Sequence, residues 1–251
     1  MSNTEKFSGK AEIYARFRPD YPEAMIRDLI SENNLDQASV VADIGSGTGI
    51  LTAQLVEHGL TVKAVEPNTD MRHVAESSLR MNPLFTSVAG TAEQTTLQNQ
   101  STDLITVAQA FHWFDPVTFK KECGRILKSW GQVVLIWNSR VPDAPLIQES
   151  ETICKQFCPD FNGFSGGLDS ISSRFKTFFQ DGKYQFKTYD HPLYYNLEDF
   201  IGRHLSASYA PKKSASNYQP YIGALTELFQ KHSQNGMVPF PNETRCYSGH
   251  V

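Results

Sequence analysis

The sequence predicts an α/β fold: a doubly wound, mostly parallel sheet with helices on both faces. Three observations predict it. Short runs rich in valine and isoleucine recur through the first half of the chain, helical patterns separate them, and one run passes straight into a glycine loop and then a helix. The runs are almost continuously apolar, as in strands buried on both faces, and parallel strands need helical crossovers.

In chain order, Tyr21-Pro22-Glu23-Ala24 opens a helix that places Met25, Ile26, Leu29 and Ile30 on one face. Strands are expected at Ser39–Ile44, Thr61–Glu66, Phe85–Ala89, Asp103–Ala108 and Gln132–Trp137. Helices are expected at Ile50–His58, closed by Gly59, and at Met71–Met81 after the capping candidates Asn68 to Asp70. A third is expected at Pro116–Lys128, with proline in its first turn. Beyond Trp137 the alternation loosens. Helices near Leu146–Phe157, Leu197–Ser208 and Tyr221–Ser233 and strands near Tyr184–Tyr189 and Thr244–Val251 would complete the sheet and build a lid.

Composition excludes several classes. The chain has 251 residues, enough for a sizeable core, and 23 basic against 27 acidic side chains leave a net charge of −4. Mild acidity without a basic run argues against nucleic acid as a partner. The longest apolar run, Val133–Trp137, is far shorter than the roughly 20 residues of a membrane span. The opening Met-Ser-Asn-Thr-Glu-Lys lacks the apolar stretch of a secretory signal, so a cytoplasmic location is expected. Cys123, Cys154, Cys158 and Cys246 match no zinc spacing and no disulfide framework; no metal is expected, and Cys154 and Cys158 read as small buried apolar residues.

The most informative stretch is Val41-Ala42-Asp43-Ile44-Gly45-Ser46-Gly47-Thr48-Gly49-Ile50. Glycines let a ligand lie against the backbone, and the helix that follows supplies free N–H groups. A dinucleotide fingerprint from Gly45 would put its third glycine at position 50, where this chain has Ile50. Asp43 at the strand tip would repel a phosphate and suit a ligand bearing an ammonium or sulfonium. Glu66 ends the next strand, where a carboxylate can accept both hydroxyls of a ribose. Gly90-Thr91-Ala92-Glu93 forms a polar turn suited to an adenine amino group. The fourth strand continues into Gln109-Ala110-Phe111-His112-Trp113-Phe114-Asp115, an aromatic cluster at the same edge. Ligands of open α/β sheets bind outside the carboxyl ends of the strands, so these segments converge on one expected site.

At these residues the chain resembles class I S-adenosylmethionine-dependent methyltransferases, through Val41–Gly49 and Glu66. It is most similar to their small-molecule group that includes trans-aconitate methyltransferases, through Arg18-Pro19-Asp20-Tyr21-Pro22 and Ala110-Phe111-His112-Trp113-Phe114. The strong resemblance spans roughly residues 7–137 and departs at Lys128-Ser129-Trp130-Gly131, where relatives carry a Pro-Gly or Gly-Gly turn. It implies a Rossmann-like, seven-stranded sheet whose last strand, Thr244–Val251, is antiparallel. The sequence has no internal repeat, low-complexity tract or clear linker, so a single domain over 1–251 is expected: an N-terminal arm and helix at 1–35, a cofactor-binding core at 36–137, and a substrate lid or insertion with the last strands at 138–251.

The implied cofactor is S-adenosylmethionine. Its expected contacts are Asp43, Gly45, Ser46, Gly47, Thr48, Gly49, Glu66, Pro67, Met71, Thr91, Ala92, Glu93, Gln109 and Ala110. The partner expected is a small-molecule methyl acceptor, met by Tyr14, Arg18, Tyr21, Trp113 and Arg140, with Arg203 and Tyr209 as further candidates. His112 is the candidate general base, needed by a hydroxyl or amine acceptor and dispensable for a carboxylate. Two rival readings stand beside a methyltransferase: a nicotinamide-dependent oxidoreductase, disfavoured by Ile50, and a non-catalytic S-adenosylmethionine-binding regulator.

Overall fold

The computed structural model describes residue 9 and residues 11–164 and 168–251; most of the first ten residues of the arm therefore lie outside the description, the opening Met-Ser-Asn-Thr-Glu-Lys among them. Helices α1 (Ala11–Phe17) and α2 (Glu23–Glu32) precede a regular alternation: β1 (Val40–Ile44), α3 (Ile50–Glu57), β2 (Thr61–Val65), α4 (Thr69–Leu79), β3 (Phe85–Val88), β4 (Thr102–Ala108), α5 (Pro116–Ile126) and β5 (Leu127–Arg140). The later half supplies α6 (Pro145–Phe157), α7 (Leu168–Phe178), β6 (Gln185–Asp190), β7 (Leu193–Tyr195), α8 (Leu197–Leu205), α9 (Tyr218–His232), β8 (Val238–Phe240) and β9 (Asn242–Gly249).

Seven strands form one sheet in the order β3-β2-β1-β4-β5-β9-β6. The five strands β1 to β5 run parallel, and β9 runs antiparallel between β5 and β6. This is the Rossmann-like, mostly parallel architecture the sequence predicts, with the antiparallel strand shifted only slightly, to Asn242–Gly249.

Each central strand divides its apolar side chains between two cores because successive residues point to opposite faces. Along β5, Val133, Leu135 and Trp137 enter one core while Val134 and Ile136 enter the other. The second of these cores is closed by α2 and α3, through Met25, Ile26, Leu29, Leu51 and Leu55. The first is dense in rings: Phe119 of α5 stacks on Phe178 of α7 at 5.4 Å and 10°, and Phe111 meets Phe178 at 4.8 Å. Fully burying such a ring contributes about 1.5–3 kcal/mol.

A third core lies apart from the sheet. Leu146 and Cys154 of α6, Phe200 of α8, Tyr221 and Leu225 of α9 and Phe240 of β8 pack together, and β7 pairs with β8 as a separate two-stranded sheet. The chain leaves the main sheet twice to build this unit, after β5 and after β6. All four cysteines are buried, and none is in a disulfide. Among the described residues no helix is long and apolar enough to cross a membrane.

A buried carboxylate ties the loop after β3 to α5. Glu122 accepts from the backbone N–H of Thr95 at 2.8 Å, its hydroxyl at 2.5 Å, and Arg125 Nε and Nη2 at 2.8 and 2.6 Å. The Arg125 guanidinium holds this carboxyl at about 2, well below its ordinary value. Depression in the folded state means that the stabilisation is complete above about pH 4.5 and is lost as the pH falls toward 2. Glu122→Gln is therefore expected to cost about 2–3 kcal/mol at pH 7 in urea denaturation. The gap to wild type should shrink at pH 3; a gap of constant size would show that the charge is not what holds this loop.

Candidate active site

At the carboxyl ends of the parallel strands the loops enclose a cleft. It is lined by Gly45 and Gly47 after β1, Glu66 to Asn68 after β2, Met71 of α4, Thr91 to Glu93 after β3, and Ala108, Gln109, Ala110, Trp113 and Phe114 at and after β4; Tyr14 of α1 closes it. The positions follow from chain direction: parallel strands deliver every one of these loops to the same edge.

The loop after β1 is fixed to its neighbour, since the backbone N–H groups of Gly45 and Ser46 both donate to Val65 O, at 2.8 and 3.2 Å. Two of its glycines serve different needs. Gly47 has φ +57 and open space where a Cβ would stand, at the wall of the cleft. Gly49 has φ +83 at the N-cap of α3, and a Cβ there would come within 3.1 Å of Ala75 Cβ and 3.3 Å of Leu79 Cδ1.

Glu66 is buried at the tip of β2, 8% exposed, and lines the cleft. Its Oε2 accepts from Gly47 N at 2.9 Å and its Oε1 from Asn68 N at 2.8 Å. Burial raises its pKa, and these two backbone donors oppose the rise. Each oxygen retains acceptor capacity, so the carboxylate is held in place with lone pairs to offer. Asn68 also caps α4 by accepting from Met71 N at 3.0 Å. Across the cleft, Glu93 accepts from Asp115 N at 3.0 Å, and Gln109 stands at φ +59 with its side chain donating to Asn138 O at 3.1 Å. A left-handed glutamine costs of order 1–3 kcal/mol and turns β4 abruptly into the short 3-10 turn Phe111–Trp113.

Ten of the fourteen expected cofactor residues thus line the cleft: Gly45, Gly47, Glu66, Pro67, Met71, Thr91, Ala92, Glu93, Gln109 and Ala110. Asp43 does not. It is buried beneath the loop, where Thr52 and Thr106 hydroxyls donate to it at 2.7 and 3.0 Å and burial pushes its pKa up to about 6, so it braces β1 against α3 and β4. Ser46, Thr48 and Gly49 lie behind the lining, Thr48 buried and Gly49 turned toward α4.

Of the expected acceptor residues, Tyr14 and Trp113 line the cleft, whereas Tyr21 is packed in the core beside Met25 and Ile26. Its backbone is clamped by Gln54, which accepts at 3.0 Å and donates at 2.7 Å. His112 is half-buried and is not among the lining residues, its ring 4.4 Å from that of Trp113. Phe111 is fully buried in the ring core. Arg18 and Arg140 fall outside the cleft and belong to a second cluster with Arg203. Sequence reasoning missed Asn68, read only as a cap, and Ala108, and named Phe114 only within the aromatic cluster; a 3-10 turn that buries Phe111 and leaves Trp113 and Phe114 half-buried at the cleft could not be read from composition.

The two glycines give a contrast that can be measured. Alanine at either position carries the left-handed penalty of about 1–2 kcal/mol. Gly49→Ala adds the clash with α4 and should melt markedly lower. Gly47→Ala should keep more stability and instead weaken binding of S-adenosylhomocysteine, the product of the implied cofactor. Equal losses of stability and of binding in both variants would contradict the division of roles.

Comparison with known proteins agrees with this geometry. Residues 42–135, which hold most of β1, all of β2 to β4 and α5, and most of β5, match the family described as "Methyltransferase domain". An uncharacterized methyltransferase of Mycobacterium tuberculosis is 40% identical over 134 residues, 53% of this chain and 52% of that protein. A malonyl-[acyl-carrier protein] O-methyltransferase of a Marinomonas species is 29% identical over 133 residues, 52% of this chain and 49% of that protein. The chain thus spans about half the length of these curated relatives. In fold, it is similar to the solved structure of a candidate type II methyltransferase from Anaeromyxobacter dehalogenans, with a TM-score of 0.64, 23% identity and 93% and 98% of the two chains covered.

Proposed function

We propose that this chain is an S-adenosylmethionine-dependent methyltransferase that moves a methyl group to an oxygen or nitrogen of a small molecule, a carboxylate oxygen being favoured. The observation that carries the cofactor assignment is Glu66: a buried carboxylate at the tip of β2, fixed by two backbone donors and facing the cleft. The lining fits the group. Glu66 would accept the ribose hydroxyls, Thr91 to Glu93 would meet the adenine edge, and Met71, Ala110 and Phe114 would cover its faces. Gly47 leaves room for the ligand against the backbone.

When bound, the cofactor supplies a methyl on a cationic sulfur, which keeps the C–S electron pair as the acceptor's new bond to carbon forms. The work left to the chain is positioning and exclusion of water. Tyr14 and Trp113 stand at the cleft to hold the acceptor, and the unit built by α6, α8 and α9 would serve as the lid of a single domain over 1–251, with its arm at 1–35 and its core at 36–137. A carboxylate is ionised at neutral pH and yields an ester without releasing a proton, so no base is required. This suits a cleft whose lining does not include His112. Transfer to oxygen is also what the name of the Marinomonas relative states for that protein.

Calorimetry tests the assignment. Wild type is expected to bind S-adenosylmethionine and S-adenosylhomocysteine and to show no comparable affinity for NAD or NADP. Charge-assisted hydrogen bonds contribute about 1.5–3 kcal/mol. Glu66→Ala should therefore weaken the dissociation constant by roughly 10- to 150-fold in a folded protein. An unchanged constant, or tight nicotinamide binding without a response to the sulfonium compound, would overturn it.

A further inference from the structure

Three buried or partly buried guanidiniums meet where α1, the end of β5 and α8 come together. Arg203 is 2% exposed and Arg140 is 8% exposed. Arg203 Nε and Nη1, Arg140 Nε and Arg18 Nε are all buried without a hydrogen-bond partner. Among the described residues no carboxylate pairs with any of the three. What they do have is partial compensation. Arg18 donates to Ser206 O at 3.2 Å and lies over the Tyr14 ring at 4.7 Å, and Arg140 lies over the Phe164 ring at 3.9 Å. Arg203 sits in the last turn of α8, where the helix dipole offsets a fraction of its charge.

Burial, and next the charge of Arg203, lowers Arg140 and brings Arg18 down to about 10, so the three guanidiniums are close enough for their charges to act on one another. His204 beside them is held down to about 3, by burial first and the Arg140 charge second, and so adds no further cation. Two hydroxyls complete the surroundings. Tyr209 feels all three guanidiniums, and Tyr195, whose buried Oη has no partner, feels Arg140. Uncompensated buried cations are costly, and a fold that keeps three of them together with unused donors is preorganised for a negative charge.

We propose that Arg18, Arg140 and Arg203 form an oxyanion-binding site that takes an anionic group of the methyl acceptor, distinct from the atom that receives the methyl. The distinction follows from placement. None of the three lines the cleft in which the methyl must be transferred, yet Arg18 stacks on Tyr14, which does. Arg18 directly follows α1 and its backbone N–H donates to Tyr14 O at 3.0 Å, so this short helix and the residue that ends it touch both places. That helix is seated on the lid: Phe17 lies so close to Gly202 of α8 that a Cβ there would fall 2.5 Å from its ring. The part played by the acceptor rests on the methyltransferase reading; the anion site itself does not.

The test is thermal melting and calorimetry of the full chain with malonate, inorganic phosphate and chloride at matched ionic strength and millimolar concentration. A rise in melting temperature with malonate identifies a carboxylate anchor. A rise with phosphate alone identifies a phosphorylated one, and either supports the site. Responses no greater than with chloride overturn it. Arg203→Met should melt higher than wild type without ligand, because a repelled charge is gone, and should lose the anion response. Arg140→Gln should weaken anion affinity by about 10- to 150-fold. Variants that melt lower yet keep the full response would assign these arginines to structure alone. Binding of S-adenosylhomocysteine is measured in parallel. Cofactor bound without an anion response sinks the site and spares the methyltransferase, and the reverse pattern does the opposite.

Discussion

Parallel strands cannot be joined by hairpins, and every feature of consequence here follows from that constraint. Each strand from β1 to β4 must be followed by a crossover, so each releases its loop at the same carboxyl-terminal edge. The glycine loop, Glu66, the Thr91–Glu93 turn and the Gln109–Phe114 segment meet there although they are scattered along the chain. The crossover helices cover both faces of the sheet, which is why the strands are largely apolar and why Asp43, buried near the end of β1, needs two threonine hydroxyls.

That constraint also explains what could be read in advance. Strand and helix periods, Asn68 as a cap, and glycines at a strand-to-helix junction are local signals, and the edge on which Glu66 falls follows from chain direction alone. What required three dimensions was depth. Asp43 and Gly47 sit four residues apart in one motif, but only the glycine reaches the cleft, because the strand end turns the aspartate under the loop. Phe111, His112, Trp113 and Phe114 are likewise sorted by a single 3-10 turn into a core ring, a residue outside the lining, and two lining aromatics. The helices α1 and α7 were not read from the sequence. The first is short and charged, and the second shows only a sparse apolar face within a serine-rich stretch.

Charge is handled in opposite ways in different parts of the fold. Glu122 is satisfied on every side and stabilises the loop that carries Thr91 to Glu93. Lys187 at the sheet edge is paired with Glu32 and Asp28. The arginines between α1, β5 and α8 break this pattern, since donors there are left over, whereas the buried carboxylates of Asp43, Glu66 and Glu122 all accept hydrogen bonds. Such an arrangement lowers the stability of the empty protein, and a ligand that supplies the missing negative charge recovers it. The cleft and this cluster are then two halves of one recognition problem, joined by the single turn of helix between Tyr14 and Arg18.

The most direct test of the central claim follows the methyl group itself. The protein is incubated with methyl-labelled S-adenosylmethionine and a panel of small carboxylic acids, phosphorylated alcohols, phenols and amines, and labelled products are separated by mass before and after mild alkali. Transfer to a carboxylate predicts label on an acid bearing a second anionic group, released as methanol by alkali because esters hydrolyse. Label on a neutral phenol or amine that survives alkali, or no transfer to any acceptor by protein that binds the cofactor, would contradict the account.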